Sequence, residues 1–116
     1  MIATDLFETS FETIGTDQLS SVSGAFGAQL TSAMHRAQEL GLRITSTTGG
    51  KHATHSYHYL GRAVDVAGAP SAMRQFYTEM SHTNPTELFY DPMGGMKHGR
   101  NIGAIGGHAN HVHVAY

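Results

Sequence analysis

An α+β fold, with a small antiparallel sheet and two helices packed against it, is what the sequence predicts, and three observations predict it. Two stretches carry apolar residues at steps of three and four, the spacing of one helical face. Two short segments, 63–67 and 111–116, alternate apolar and polar residues as half-buried strands do. Glycine and proline stand between these segments, where a chain turns.

In chain order, residues 1–23 are rich in Ser, Thr and acidic side chains and read as an arm or short helix. From Phe26 to Leu42, the positions Phe26, Leu30, Ala33, Met34, Ala37 and Leu40 form a helical stripe, and Gly41 stands where a helix stops. Arg43-Ile44-Thr45-Ser46-Thr47 is β-prone and is ended by Gly49-Gly50. A loop through His52 and His55 leads to Gly61, and Ala63-Val64-Asp65-Val66-Ala67 follows as a strand. Pro70 opens a second helix with Met73, Phe76, Tyr77 and Met80 on one side. Residues 86–90 read as a strand, 91–107 as a glycine-rich loop, and 111–116 as a closing strand. No repeat or boundary divides the chain, so a single domain over 1–116 is expected, with its core in 24–116.

Composition narrows the function. A formal charge of -2 argues against a nucleic-acid binder or an anionic-membrane binder, which would carry a basic excess. No apolar run reaches the roughly 18–20 residues of a membrane span. The first residues lack the basic-then-apolar layout of a signal peptide. With no cysteine, a metal site here has to be built from imidazole and carboxylate.

Histidine is the outlier. Nine occur, and they thicken at 52–58 and 108–113. His111 and His113 are two apart on a strand and project to one face, while Val112 and Val114 project to the other. Asp65 lies between Val64 and Val66, where an unpaired carboxylate would cost several kcal/mol. It therefore pairs with Arg62, caps a turn, or ligates a metal together with His58, reached across a tight turn at Gly61. Glu87 alternates with Leu88 and is expected in solvent; Asp91 is the other carboxylate able to approach these histidines.

The pattern Ser56-x-His58-x-x-Gly61-x-Ala63-x-Asp65, followed by His108-x-x-His111-x-His113, resembles the zinc D-alanyl-D-alanine carboxypeptidases and their relatives. Those relatives include cell-wall endopeptidases, phage endolysins and peptidase domains of phage tail proteins. Both motifs are complete and in order, and the resemblance covers about residues 43–116. It implies a hedgehog/DD-peptidase-like fold and a zinc ion held by His58, Asp65 and His113, with water in the fourth position. It also implies proton transfer or oxyanion stabilisation by His111, with His108 as the second candidate, since imidazole ordinarily titrates near 6.5.

Two departures qualify the likeness. Some branches carry Glu or Asp three residues before the last ligand; here that position is Asn110, so the chain resembles the branch that works with histidines. Many relatives carry an arginine upstream of the first motif to hold a substrate carboxylate, and residues 46–52 contain none. Lys51 is the cation there, a point charge without the two-pronged fit of guanidinium. Lys51 and Ser56 are the expected substrate contacts. The implied activity is hydrolysis of D-amino-acid-containing stem or cross-link peptides of peptidoglycan, as carboxypeptidase or endopeptidase. The implied setting is extracellular, at the cell wall or on a virion, with the chain as a module of a larger phage tail or endolysin protein. The rival expectation is a catalytically silent zinc-binding module with a structural or wall-recognition role.

Overall fold

The computed structural model describes residues 16–47 and 61–116, with side-chain surroundings from Gly27 onward. Two helices, α1 (Thr16–Glu39) and α2 (Pro70–Met80), pack on a six-stranded antiparallel sheet. Its strands are β1 (Arg43–Ser46), β2 (Ala63–Ala67), β3 (Glu87–Tyr90), β4 (Gly94–Lys97), β5 (Arg100–Asn101) and β6 (Val112–Ala115). Their order across the sheet is β1-β2-β6-β3-β4-β5, so the strand nearest the C-terminus sits between two earlier ones.

The helix α1 starts further upstream than the apolar stripe indicated and is interrupted at Gly27, whose φ of 78° and ψ of 164° are not helical. Of the arm expected over 1–23, residues 16–23 belong to this helix, and 1–15 lie outside the described residues. At its other end Gly41 adopts φ 83°, the Gly41 N–H donates to the Gln38 carbonyl, and the Leu42 N–H reaches back to the Ala37 carbonyl at 2.9 Å. This pair of bonds is a Schellman motif; it satisfies two end carbonyls and delivers Leu42 into the core. The helix α2 begins with Pro70 at its first turn and buries Met73, Phe76, Tyr77 and Met80 as the periodicity predicts. A bidentate pair joins the helices: Arg36 Nε and Nη2 donate to Glu79 Oε1 and Oε2 at 2.6 and 2.8 Å.

The sheet's two faces are sorted by alternation. Ile44, Val64, Val66, Leu88, Val112 and Val114 join Leu30, Met34, Phe76 and their neighbours in one apolar cluster under the helices. Asp65, Glu87, Phe89 and His113 belong to the alternate positions and fall on the opposite face. Residues 91–107, expected as loop, contain the hairpin β4–β5. Gly94 and Gly95 hide it from a propensity reading. Its basis is tertiary: Met96 pairs with Leu88, and a Cβ at Gly95 would meet the Gly103 carbonyl oxygen at 2.7 Å. The close approach of that loop requires glycine.

Phe76 is fully buried at the centre of the cluster. Phe76→Ala is expected to destabilise the protein by about 3–5 kcal/mol. Equilibrium urea unfolding checks this; a loss below 1 kcal/mol would mean that α2 is not seated on the sheet as described.

Candidate metal centre

The two motifs meet on neighbouring strands. In the β2–β6 ladder Asp65 stands directly opposite His113, and in the β3–β6 ladder Phe89 stands opposite His113 from the other side. Asp65, His113 and Phe89 thus form one row across three strands. His113 is almost fully buried. Its Nδ1 lies 3.1 Å from Asp65 Oδ1, and its Nε2 lies 2.8 Å from Glu87 Oε1. The Phe89 ring stacks on the imidazole with centroids 5.2 Å apart and planes 12° from parallel.

Local sequence explains this placement. Gly61 takes φ 70° ahead of β2, the tight turn expected of it. A β-bulge between Ile44 and Ser46 sets Ser46 opposite Asp65, and Thr45 Oγ1 donates to the Asp65 backbone carbonyl. The neighbouring row is Ala63, Ala115 and Glu87. Its two alanines leave room for the Glu87 carboxylate to reach diagonally to His113. Glu87 is therefore not a solvent residue: its side chain is only 14% exposed, and its second oxygen faces Lys97 Nζ at 3.6 Å. Strand periodicity gave its face correctly, but only the order of strands brings that face against His113.

The other two histidines of the second motif stand beside Asp65 and His113. His111 Nε2 is 4.0 Å from Asp65 Oδ2, and Nδ1 of His111 donates to Asn110 Oδ1 at 2.9 Å. That bond leaves the lone pair of the neutral ring on Nε2, the nitrogen nearer Asp65. His108 lies 4.9 Å from His111 and 5.8 Å from His113, centroid to centroid. Nδ1 of His108 donates to the Gly106 carbonyl. The loop carrying it is tied by Asp91, whose carboxylate accepts the backbone N–H groups of Gly106 and His108. Those bonds, that of His108 first, outweigh desolvation and hold Asp91 below the ordinary carboxylate range. Asp91 thus shapes the rim rather than facing the imidazoles' reactive nitrogens.

Beside Asp65 and His111 runs a polar groove of about 770 Å³ whose lining includes Arg43, Thr45, Gly68 and Asn110. Arg43 supplies a guanidinium to the vicinity, from β1 rather than from the 46–52 stretch. Arg62, the alternative partner considered for Asp65, donates through Nε to the Tyr116 carbonyl at 2.7 Å. His58, Ser56 and Lys51 lie outside the described residues, as do His52 and His55.

Among the described residues no three His, Cys, Asp or Glu side chains form a group able to hold a metal ion. Asp65 and His113 are a pair, and their chemistry fits a zinc ligand set. Two ligand atoms on one tetrahedral zinc stand about 3.4 Å apart, and Nδ1 and Oδ1 are 3.1 Å apart. A ligating histidine almost always gives its other N–H to a carboxylate or carbonyl, and Nε2 has Glu87 for this.

In the metal-free state the same contacts hold a proton. Burial alone pushes His113 down, but the hydrogen bonds and charges of Asp65 and Glu87 outweigh it and raise the ring to about 9. For Glu87, burial pushes upward, and the contacts with His113 and Lys97 overcome it and leave the carboxyl below its ordinary range. A histidine raised on folding stabilises fully below its unfolded value near 6.5, and that contribution is lost as pH rises through about 9. Protein kept in chelator should therefore lose stability between pH 6.5 and 9, by at most about 1.4 kcal/mol per pH unit. Thermal melts across that range test it; a flat profile, or the same slope in His113→Gln, would contradict it. No helix among the described residues is long and apolar enough to cross a membrane. No protein-family model matches the chain, and no match to it is found among curated proteins or solved structures.

Proposed function

We propose that the protein is a zinc-dependent peptidase that hydrolyses D-amino-acid-containing stem or cross-link peptides of peptidoglycan. The observation carrying this reading is the side-by-side pairing of Asp65 and His113, one from each motif and 48 residues apart in sequence. His58, from the turn side of the first motif, is the third ligand of the proposal, and a hedgehog/DD-peptidase-like arrangement of the sheet is part of it. The substrate class and a setting at the cell wall or on a virion, within a phage tail or endolysin protein, rest on the likeness of the two motifs.

Zinc supplies Lewis acidity, which acidifies water towards a pKa of about 7 and polarises the scissile carbonyl. The chain's own groups do the rest. His111, with its lone pair on Nε2 beside Asp65, takes the proton of the attacking water. It returns that proton to the amine nitrogen as the C–N bond breaks. His108, beside His111, is placed to stabilise the developing oxyanion from the rim. Phe89 covers one face of His113 and keeps water from the ligand. Arg43 in the adjoining groove offers a fork to a carboxylate of the substrate, the role for which Lys51 is the sequence candidate.

Purified protein incubated with peptidoglycan, with the fragments read by mass spectrometry, should release new amino termini. His111→Ala should lower the rate by about 100-fold or more while zinc stays bound, and chelator should abolish release. Zinc binding without cleavage of any wall type would instead favour a silent zinc module with a structural or wall-recognition role. Arg43→Ala is expected to raise KM by about 10-fold for carboxylate-bearing peptides, with little change in kcat. An equal effect on amidated peptides would remove Arg43 from substrate binding.

A further inference from the structure

We propose that Glu87 is a positioning residue that fixes the His113 ring with Nδ1 towards Asp65 and thereby sets the affinity of the metal site. The inference rests on the reading of Asp65 and His113 as ligands. An imidazole turned over about its Cβ–Cγ bond exchanges Nδ1 with a carbon, so ligation at Nδ1 needs something to choose between the two orientations. Stacking on Phe89 fixes the plane of the ring but not which edge faces Asp65. Glu87 Oε1, 2.8 Å from Nε2, makes that choice from the far edge of the ring, because turning the ring over would break this contact along with the one between Nδ1 and Asp65. Asp65 and Glu87 both accept only, so without a metal each nitrogen carries a proton; a metal taking the place of the Nδ1 proton would leave the Nε2 proton held by Glu87.

Glu87 is itself held. Lys97 is its direct partner in the β3–β4 ladder, and Lys97 Nζ lies 3.6 Å from Oε2. Lys97, Glu87, His113 and Asp65 thus form a chain of alternating charge running from β4 to β2, and the hairpin missed by sequence reading supplies its first link. Residue 115 stands directly opposite Glu87 in the ladder. With alanine there, the path from Glu87 to His113 is short and direct.

The test is zinc affinity of the full chain, measured by competition with a chromophoric chelator, in unaltered protein and in Glu87→Gln, Glu87→Ala, Asp65→Ala and His113→Ala. Removing the carboxylate in Glu87→Ala should weaken zinc binding by about 10- to 100-fold. Glu87→Gln keeps an acceptor for Nε2–H and should recover part of that loss; it also serves if the alanine variant does not fold. Nitrogen-15 NMR of the zinc-loaded protein should report His113 as protonated at Nε2 and metal-bound at Nδ1, a signature that a purely structural role for Glu87 would not require. Zinc affinity within twofold of the unaltered protein in both Glu87 variants, alongside large losses in Asp65→Ala and His113→Ala, overturns the role of Glu87 and leaves the metal site standing. Unchanged affinity in all four variants overturns the metal site and this inference together.

Discussion

A buried imidazole held between two carboxylates is the constraint around which the rest of this molecule is arranged. His113 has Asp65 at one nitrogen and Glu87 at the other, in a position almost closed to water. Two carboxylates closing on a neutral ring would have no positive charge between them at low effective dielectric, a costly state. A proton on His113 removes part of that imbalance, which is why the ring stays charged well above its ordinary range. A divalent cation at Nδ1 would remove more of it. In the proposed zinc site, proton and metal would compete for one lone pair.

Strand order makes this constraint possible. The strand β6, close to the end of the chain, lies between β2 and β3, so His113 receives neighbours from both sides. Register does the remaining work. Val112 and Val114 enter the core while His113 stays on the opposite face; a slip by one residue would bury the imidazole among the valines and expose those valines instead. The apolar cluster beneath α1 and α2 therefore does more than stabilise the sheet. It is what prevents β6 from shifting relative to Asp65.

How much of this was legible in the sequence depended on whether a feature is local. The helix α2 and the alternation in β2 and β6 follow from periodicities of 3.6 and 2, so their buried residues could be named from the sequence. Asp65 and His113 could be singled out as well, one as a carboxylate between valines and one as part of a His-x-His pair. The hairpin β4–β5 could not, because its glycines disfavour strand and its formation depends on pairing with β3 and on the loop that crosses Gly95. Glu87 shows the same limit at the site. Alternation placed it opposite Leu88, but whether that face meets water or His113 depends on β3 lying beside β6, a contact between segments far apart in sequence. Arg43 reaches the groove from the start of β1 rather than from the 46–52 segment, a placement that only the fold reveals.

The histidines also differ in how firmly they are held, and that difference matches the chemistry proposed for each. The His113 side chain is 7% exposed, pinned at both nitrogens and stacked on Phe89, as suits a ligand that must not move. His111 precedes β6 rather than lying within it, and its side chain is 23% exposed. A group that accepts and returns a proton needs access to solvent and to substrate, and a place inside the ladder would deny it both. His108 is further out, on a loop whose shape depends on the Asp91 carboxylate gathering the backbone N–H groups of Gly106 and His108. His113 is thus placed by strand pairing, whereas His111 and His108 are placed by the turn and loop that lead into β6.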